Sequence, residues 1–443
     1  MKLIKSQKTF FIQTYGCQMN KYDSELVAAI LREKARTIEE ANIILVNTCS
    51  VRQHAETRAL GYLNALNAYK LRRKDVIIGL LGCMAQRMGQ QILREKPFVD
   101  FVLGPDSYRQ LPQILENLDN GGYHPESLAE ELETYSDIYP SRVEGVSAWV
   151  AIMRGCNNFC AYCIVPYVRG PERSRPAKDI LNEVKRLVDE GFVEVTLLGQ
   201  NVNSYRDGQT DFADLIYQVS QVPGITRVRF ATSHPKDLSV KLLETIAESQ
   251  TICPHIHLPV QSGSDTILRL MNRHYTRDYY LQLLEKAREL IREVSVTTDI
   301  IVGFPGETEQ DFQDTLTLVQ QARFDNAFTF KYSPREGTQA AQYEETVTEE
   351  EKLSRLETLN KLQKKITLEI NKKLVGKKVK VLVEGPSKKS QEQYQGRTDT
   401  NKIVVFPKRK EAIGSIIELK IVAAEGHTLF GQPKDEYVEE LAS

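Results

Sequence analysis

Short apolar runs recur along the first third of the chain, separated by longer stretches of helical periodicity. FFIQTY precedes a helical pattern from about Asp23 to Arg32, IILVN precedes one after Val51, and VIIGLL precedes one after Gln86. Strand-sized runs alternating with helices predict an open parallel α/β layer. From Asn120 to Gly145 the pattern lapses into Asn-Gly-Gly, acidic residues and two prolines, which predicts a linker or cover segment. Alternation resumes at Trp149 with six apolar runs, WVAIM, VEVTLL, RVRFAT, HIHLPV, TTDIIV and NAFTFKY, between helical patterns such as DILNEVKRLVDE and YYLQLLEKARELI. Six β/α units predict a partial (β/α)6 barrel. A helical stretch from about Glu349 to Lys373 follows, and Val379 to Gly431 then carries VKVLVE, KIVVF and SIIELK with Gly-containing turns, the pattern of a small antiparallel β-barrel. The fold class is therefore α/β with a β appendix. Domains are expected over residues 1–120, 146–373 and 374–438, with a linker over 121–145.

The length of 443 residues suits about three domains, and 41% hydrophobic with 26% charged residues argues against disorder along most of the chain. The longest apolar runs, such as Val76 to Leu81, are strand-sized and far short of the roughly 20 residues that cross a bilayer. The opening MKLIKSQKTFFIQTYGC lacks a continuous apolar segment, so no signal peptide is expected and the cytoplasm is the expected location. Formal net charge is −1, but residues 351–415 hold 17 Lys or Arg against 7 Asp or Glu, so a basic end is balanced by an acidic remainder. Within or beside the terminal β-barrel, Lys377, Lys378, Lys380, Lys388, Lys389, Arg397 and Lys402 are candidates for phosphate contacts, although such runs are commonly plain solvated faces.

The seven cysteines are an odd count, which fits reduced thiols or metal ligands better than a disulfide framework. Cys17, Cys49 and Cys83 each follow a predicted strand and precede a helix, so they converge on the carboxyl edge of the sheet, where helix N-termini favour thiolates. One buried cysteine is ordinarily a small apolar residue; three at equivalent places point to a metal cluster. Structural zinc usually fills four ligands and shows C-x-x-C pairs, which are lacking here. Cys156, Cys160 and Cys163 lie in MRGCNNFCAYCIVPYVRG, directly after the first strand of the second domain. Again there are three thiolates and no fourth Cys or His in the loop, which leaves one iron of a cluster open to a small molecule. Cys253 is isolated and reads as structural.

The C-x-x-x-C-x-x-C loop resembles the signature of the radical S-adenosylmethionine enzymes. The resemblance implies that the open iron chelates the amino and carboxylate groups of the methionine moiety. An electron from the cluster then cleaves S-adenosylmethionine to a 5′-deoxyadenosyl radical that takes hydrogen from the substrate. Tyr162 occupies the position whose aromatic residue lies near the adenine. At the ends of the barrel strands Gln200, Asn201, Asn203, Ser233, Gln261, Asp299 and Gly303 form a polar set suited to a zwitterionic nucleoside. Gly199-Gln200-Asn201 departs from the Gly-Gly-Glu usual in that family. His234, followed by Pro235, is a candidate acid or base and equally a packing element.

Three N-terminal cysteines, the barrel loop and a basic terminal β-barrel together resemble the methylthiotransferases over nearly the whole chain. That resemblance implies two 4Fe-4S clusters, an auxiliary one on Cys17, Cys49 and Cys83 and a radical-generating one on Cys156, Cys160 and Cys163. It also implies an RNA-binding TRAM domain from about Leu374. YGCQMN, NTCSVRQHAE, GCMAQR and VRGPERSRP are most similar to the tRNA branch, although LREKARTIEEAN lacks the Gly-containing turn usual there. One S-adenosylmethionine would donate a methyl group to sulfur on the auxiliary cluster and a second would generate the radical. The implied target is carbon 2 of the prenylated adenosine at tRNA position 37, in the anticodon stem-loop. Its unactivated hydrogen lies beyond the reach of side-chain acids and bases. Arg169, Arg173 and Arg175 would reach RNA phosphate or the cofactor carboxylate. An electron-donor protein, no membrane and a monomer complete the expectation. The alternatives are methylthiolation of threonylcarbamoyl-adenosine or of a ribosomal protein, a cluster-containing RNA-binding protein without turnover, and a zinc-stabilised binding module.

Overall fold

Apolar side chains fill both faces of the first sheet, so its inner strands are buried along their whole length, as parallel strands covered by helices must be. The computed structural model describes residues 8–35, 37–51, 53–122, 126–127, 132–142, 145–388, 390–408 and 413–433. Strands β1 (Phe10–Tyr15), β2 (Ile43–Thr48), β3 (Ile77–Gly82), β4 (Phe101–Leu103) and β5 (Glu126–Ser127) lie side by side in that order, all parallel. Register sets Tyr15 beside Thr48 and Thr48 beside Gly82, so three strands end level with one another. Helices α1 (Gln18–Leu31) and α4 (Leu111–Asp119) cover one face through Leu26, Val27, Leu111 and Ile114. Helices α2 (Gln53–Arg72) and α3 (Cys83–Glu95) cover the other through Ala59, Leu63, Met84 and Ile92.

The segment expected to be a linker or cover segment contributes a strand and a core side chain. Glu126 and Ser127 pair with Val102 and Leu103 as the fifth strand. Tyr135 is fully buried, and its hydroxyl accepts from the Tyr108 N–H at 3.0 Å and donates to the Pro105 carbonyl at 3.0 Å. A polar composition hid this role, because one aromatic anchor and two paired residues leave no periodicity to read.

The second domain contains the six expected strands, β6 (Ser147–Ala151), β7 (Glu194–Leu198), β8 (Arg227–Phe230), β9 (His255–His257), β10 (Ser295–Val302) and β11 (Asn326–Lys331). They form two parallel three-stranded arcs, β8-β7-β6 and β9-β10-β11. A single bridge, Val228 to Ile252, continues the curve between them, giving a partial barrel. A helix over Glu349–Lys372 leads out, started by a capping box between Thr348 and Glu351.

Five strands over Lys378–Ser387, Ser390–Thr398, Ile403–Pro407, Ile416–Glu425 and Thr428–Pro433 close a small barrel around Val381, Val404, Phe406, Leu419 and Leu429. One pair, Ile403 with Thr428, is parallel rather than antiparallel. The barrel is seated by two arginines of β8. Arg227 donates to the carbonyls of Arg397 (2.6 Å) and Lys380 (3.0 Å), and Arg229 to those of Asp399 (2.8 Å) and Thr398 (2.7 Å). Among the described residues no helix is long and apolar enough to cross a membrane.

Candidate active site

Level strand ends bring Cys17, Cys49 and Cys83 together at the carboxyl edge of the first sheet. Cys17 is the N-cap of α1 and Cys83 the first residue of α3, both at the positive end of a helix. The Cys49 N–H donates to the Tyr15 carbonyl at 3.0 Å, which fixes Cys49 beside the turn that carries Cys17. Buried amides tighten the edge. Asn20 Oδ1 accepts from the Cys17 thiol at 3.2 Å, and Asn47 Nδ2 donates to the Asn20 carbonyl and to Ser24 Oγ, each at 2.9 Å. Gly82 has φ +88°, and a Cβ there would stand 2.4 Å from Asn47 Oδ1, so only glycine fits between the amide and Cys83. A hydrogen bond from Cys49 pulls the Cys17 thiol below its ordinary range against the effect of burial, with the Arg169 charge assisting. Burial raises the Cys83 thiol, and Arg169 opposes that rise.

The second triad sits on the loop after β6. Gly155, at φ +76°, lets the chain turn where a Cβ would lie 2.0 Å from the Pro171 carbonyl, and the Cys156 N–H bonds the Gly170 carbonyl at 3.2 Å. Asn272 Nδ2 holds the Phe159 carbonyl at 2.9 Å, and the Ala161 N–H bonds the Met271 carbonyl at 3.0 Å. Arg273, a residue that sequence reading missed, is buried with Nη1 3.4 Å from the Cys160 sulfur and Nη2 2.8 Å from the Pro259 carbonyl. No spacing rule marks it, because it reaches the loop from beyond the fourth strand. Burial raises the thiols of Cys156 and Cys163. Tyr162 packs against the apolar cluster of Ala161, Phe304 and Ala340, beside Cys160 and Cys163.

The donor chemistry fits iron-sulfur clusters: all six thiols are free and each set of three is one ligand short. Among the described residues no three His, Cys, Asp or Glu side chains are gathered as around a single metal ion. The start of α3 and the helical turn after the second triad meet across the domain boundary, where Cys83, Ile164 (the residue after Cys163) and Val168 form one buried apolar cluster. A cleft of about 300 Å³ opens beside this contact, lined by Arg87, Met88 and Gln91 of α3, Ile164 and Tyr167 of the loop, and Glu336.

The polar strand ends divide into open and closed positions. Among the described residues Gln200 Oε1, Asn201 Oδ1 and Ser233 Oγ are buried with no hydrogen-bond partner, three unsatisfied groups at the ends of β7 and β8 that suit a polar ligand. Thr232 and Gln261, at φ +61° and +72°, place left-handed non-glycine residues beside them, a strain typical of binding sites. Asn203 brackets the His234 backbone, accepting from its N–H at 2.9 Å and donating to its carbonyl at 3.0 Å. His234 is itself buried. Burial, then Arg273, Lys236 and His274, push it down to about 2, and its Nδ1 accepts the Lys236 N–H. Asp299 Oδ1 lies 3.5 Å from His257 Nε2. The Gly303 N–H donates to Glu307 Oε2 at 2.6 Å, and a Cβ at Gly303 would stand 2.3 Å from Lys352 Cγ.

The three arginines after the loop correct the expectation that they reach RNA. Arg169 Nη2 binds Asp23 Oδ2 at 2.7 Å, Arg173 Nη2 binds Asp106 Oδ1 at 2.7 Å, and Arg175 Nη1 binds Glu183 Oε2 at 2.8 Å and the Ala151 carbonyl at 2.6 Å. Arg169 and Arg173 thereby tie the second domain to the first, and Arg175 does so through Nη1, which donates to the Tyr22 hydroxyl at 3.1 Å. Lys402 is likewise a strut, 2.6 Å from Asp325. Lys377 and Lys378 are exposed, with only long ion pairs of 3.7 Å to Glu293 and 3.5 Å to Glu418. Arg397 lies 3.1 Å from Glu384. Lys380 and Lys388 are exposed, and Lys389 lies outside the described residues.

Comparison with known proteins agrees with this layout. The chain matches the uncharacterized protein family UPF0004 over residues 9–104, the radical SAM superfamily over 150–319 and the TRAM domain over 372–434. It is 46% identical over 445 residues to the tRNA-2-methylthio-N(6)-dimethylallyladenosine synthase of Moorella thermoacetica, covering 98% of this chain and 100% of that one. The synthase of that name from Carboxydothermus hydrogenoformans is 48% identical, covering 94% and 97%. Among solved structures, the radical S-adenosylmethionine methyltransferase TsrM from Kitasatospora setae, with cobalamin and a 4Fe-4S cluster bound, has a TM-score of 0.58 at 12% identity, covering 75% of this chain and 74% of that one. The cobalamin-dependent radical enzyme OxsB scores 0.54 at 13% identity, covering 80% and 56%. At those identities the likeness is one of fold.

Proposed function

The chain belongs to the methylthiotransferase family of radical S-adenosylmethionine enzymes, and from that premise we infer that its two cysteine triads hold two 4Fe-4S clusters with separate tasks. It is a tRNA methylthiotransferase whose product is 2-methylthio-N(6)-dimethylallyladenosine. The clusters and S-adenosylmethionine, when bound, supply the electron, the radical that removes hydrogen from carbon 2, and the sulfur and methyl group that replace it.

The residues of the chain position and enclose. Cys156, Cys160 and Cys163 hold the radical-generating cluster, and Arg273 donates a charge-assisted N–H to the Cys160 sulfur. Gln200, Asn201 and Ser233 offer unsatisfied polar atoms to the cofactor, and Tyr162 stands where the adenine lies. Cys17, Cys49 and Cys83 hold the auxiliary cluster. Ile164, buried with Cys83 and Val168, lines the apolar boundary beside both triads. Lys377 and Lys378 contact phosphates of the anticodon stem-loop, while the adenosine at position 37 is unstacked into the site. The enzyme works in the cytoplasm as a monomer and takes electrons from a separate donor protein.

The observation that supports this reading is the buried cluster of Cys83, Ile164 and Val168, which joins the start of α3 to the turn just after Cys163. Incubation of anaerobically reconstituted protein with S-adenosylmethionine, reductant and prenylated tRNA, followed by mass analysis of the digested nucleosides, tests it. A methylthio gain on dimethylallyladenosine supports it. Gain only on threonylcarbamoyl-adenosine or on a ribosomal protein reassigns the substrate.

A further inference from the structure

We propose that Arg169 is a positioning residue that supplies the auxiliary thiolates with a fixed positive counter-charge from the neighbouring domain and so sets the reduction potential of the cluster they hold. This rests on the two-cluster reading above. Asp23 of α1 is fully buried, and both of its oxygens are taken by the second domain, Oδ1 by Arg154 Nη2 and Oδ2 by Arg169 Nη2, each at 2.7 Å. Two guanidiniums on one carboxylate leave a surplus of one positive charge in a site closed to water. The next acid, Asp106, does not cancel it, because Arg173 holds Asp106 at 2.7 Å.

The surplus lies beside the auxiliary triad. Val168, the residue before Arg169, packs on Cys83, and the Arg169 charge acts on Cys83 and Cys17. Arg169 itself is 3% exposed, and its Nη1 is buried with no hydrogen-bond partner among the described residues, so one N–H group remains for a sulfur ligand. Three thiolates make an iron-sulfur site net negative, and each electron added makes it more so. A buried cation within reach favours the reduced state, since net charge and hydrogen bonds to sulfur tune cluster potentials. Arginine suits the task because its charge does not titrate and its fork binds Asp23 while presenting a second nitrogen.

The test uses full-length protein carrying Cys156→Ala, Cys160→Ala and Cys163→Ala, reconstituted anaerobically so that the auxiliary cluster alone is read by EPR-monitored redox titration. Adding Arg169→Met leaves Arg154 and Asp23 as a balanced pair, so the core remains neutral. The expected midpoint falls by enough to change the reduction equilibrium at least tenfold, 59 mV for one electron. Arg169→Lys keeps the charge and retains most of the parent potential. Loss of cluster loading in Arg169→Met with recovery in Arg169→Lys supports the same role. An unchanged midpoint in Arg169→Met, or loss of loading in both variants, overturns the proposal. If the background with three alanines binds no cluster at all, the two-cluster reading itself fails, which separates the two ideas.

Discussion

Cys83, the first residue of α3, shares one buried apolar cluster with Ile164, the residue after Cys163, across the domain boundary. On the two-cluster reading, the domain boundary and the reaction centre coincide. Anything that loosens the boundary therefore acts on chemistry as well as on stability. Ile164→Ala removes a buried side chain from this cluster and is expected to cost about 2–5 kcal/mol in unfolding free energy. Chemical denaturation reads the stability loss, and the ratio of methylthiolated nucleoside to 5′-deoxyadenosine is expected to fall in the same variant.

Asp23→Ala leaves Arg154 and Arg169 facing each other without their carboxylate. A broken buried ion pair typically costs 3–5 kcal/mol, because a charge is left desolvated. The expected result is a clear drop in the denaturation midpoint of the full-length protein, far larger than that for an exposed pair such as Lys361 with Glu357.

Cysteine substitutions are expected to divide the reaction. Cys17→Ala, Cys49→Ala or Cys83→Ala leaves reductive formation of 5′-deoxyadenosine in place and abolishes the methylthio product. Cys156→Ala, Cys160→Ala or Cys163→Ala abolishes both. Parallel chromatography of the nucleosides and of 5′-deoxyadenosine checks the division. Loss of 5′-deoxyadenosine in the first group would show that the two triads do not work separately.

Salt dependence separates phosphate contacts from struts. Lys377→Ala and Lys378→Ala are each expected to weaken tRNA binding and to lower the slope of log affinity against log salt by about 1. Arg173→Ala and Arg175→Ala are expected to lower stability and leave that slope alone, since their guanidiniums are spent on Asp106 and Glu183.

His234 makes stability depend on pH. The unfolded chain takes a proton near 6.5, while burial holds the native side chain down to about 2. Its contribution is complete above the unfolded value and is lost as pH falls below it, by up to about 1.4 kcal/mol per pH unit. His234→Gln is expected to flatten the stability profile between pH 6.5 and 5, measured by denaturant melts at each pH.

The placement of the six candidate cysteines, three at strand ends and three on one loop, was legible in the sequence, because strand ends and a tight loop are local features that periodicity and spacing expose. The polar ends of β7 and β8 were legible for the same reason. What connects the domains was not: Asp23 falls in a predicted helix with nothing to mark it, and Arg169, Arg173 and Arg175 read as cations free to reach RNA phosphate or the cofactor carboxylate. Their partners across the boundary, Asp23, Asp106 and Tyr22, lie far away in sequence, so only the folded chain shows the pairing. Arg273 escaped notice on the same ground, and Tyr135 because a polar segment gave no sign that one of its residues is core.

The central claim is that two sets of three thiolates hold two clusters. The most direct measurement is the iron content and Mössbauer spectrum of anaerobically reconstituted protein, compared with the same chain carrying Cys17→Ala, Cys49→Ala and Cys83→Ala. Two 4Fe-4S signals in the parent, with iron halved and one signal left in the variant, are predicted. A single cluster in the parent, or iron unchanged by the substitutions, would contradict the account.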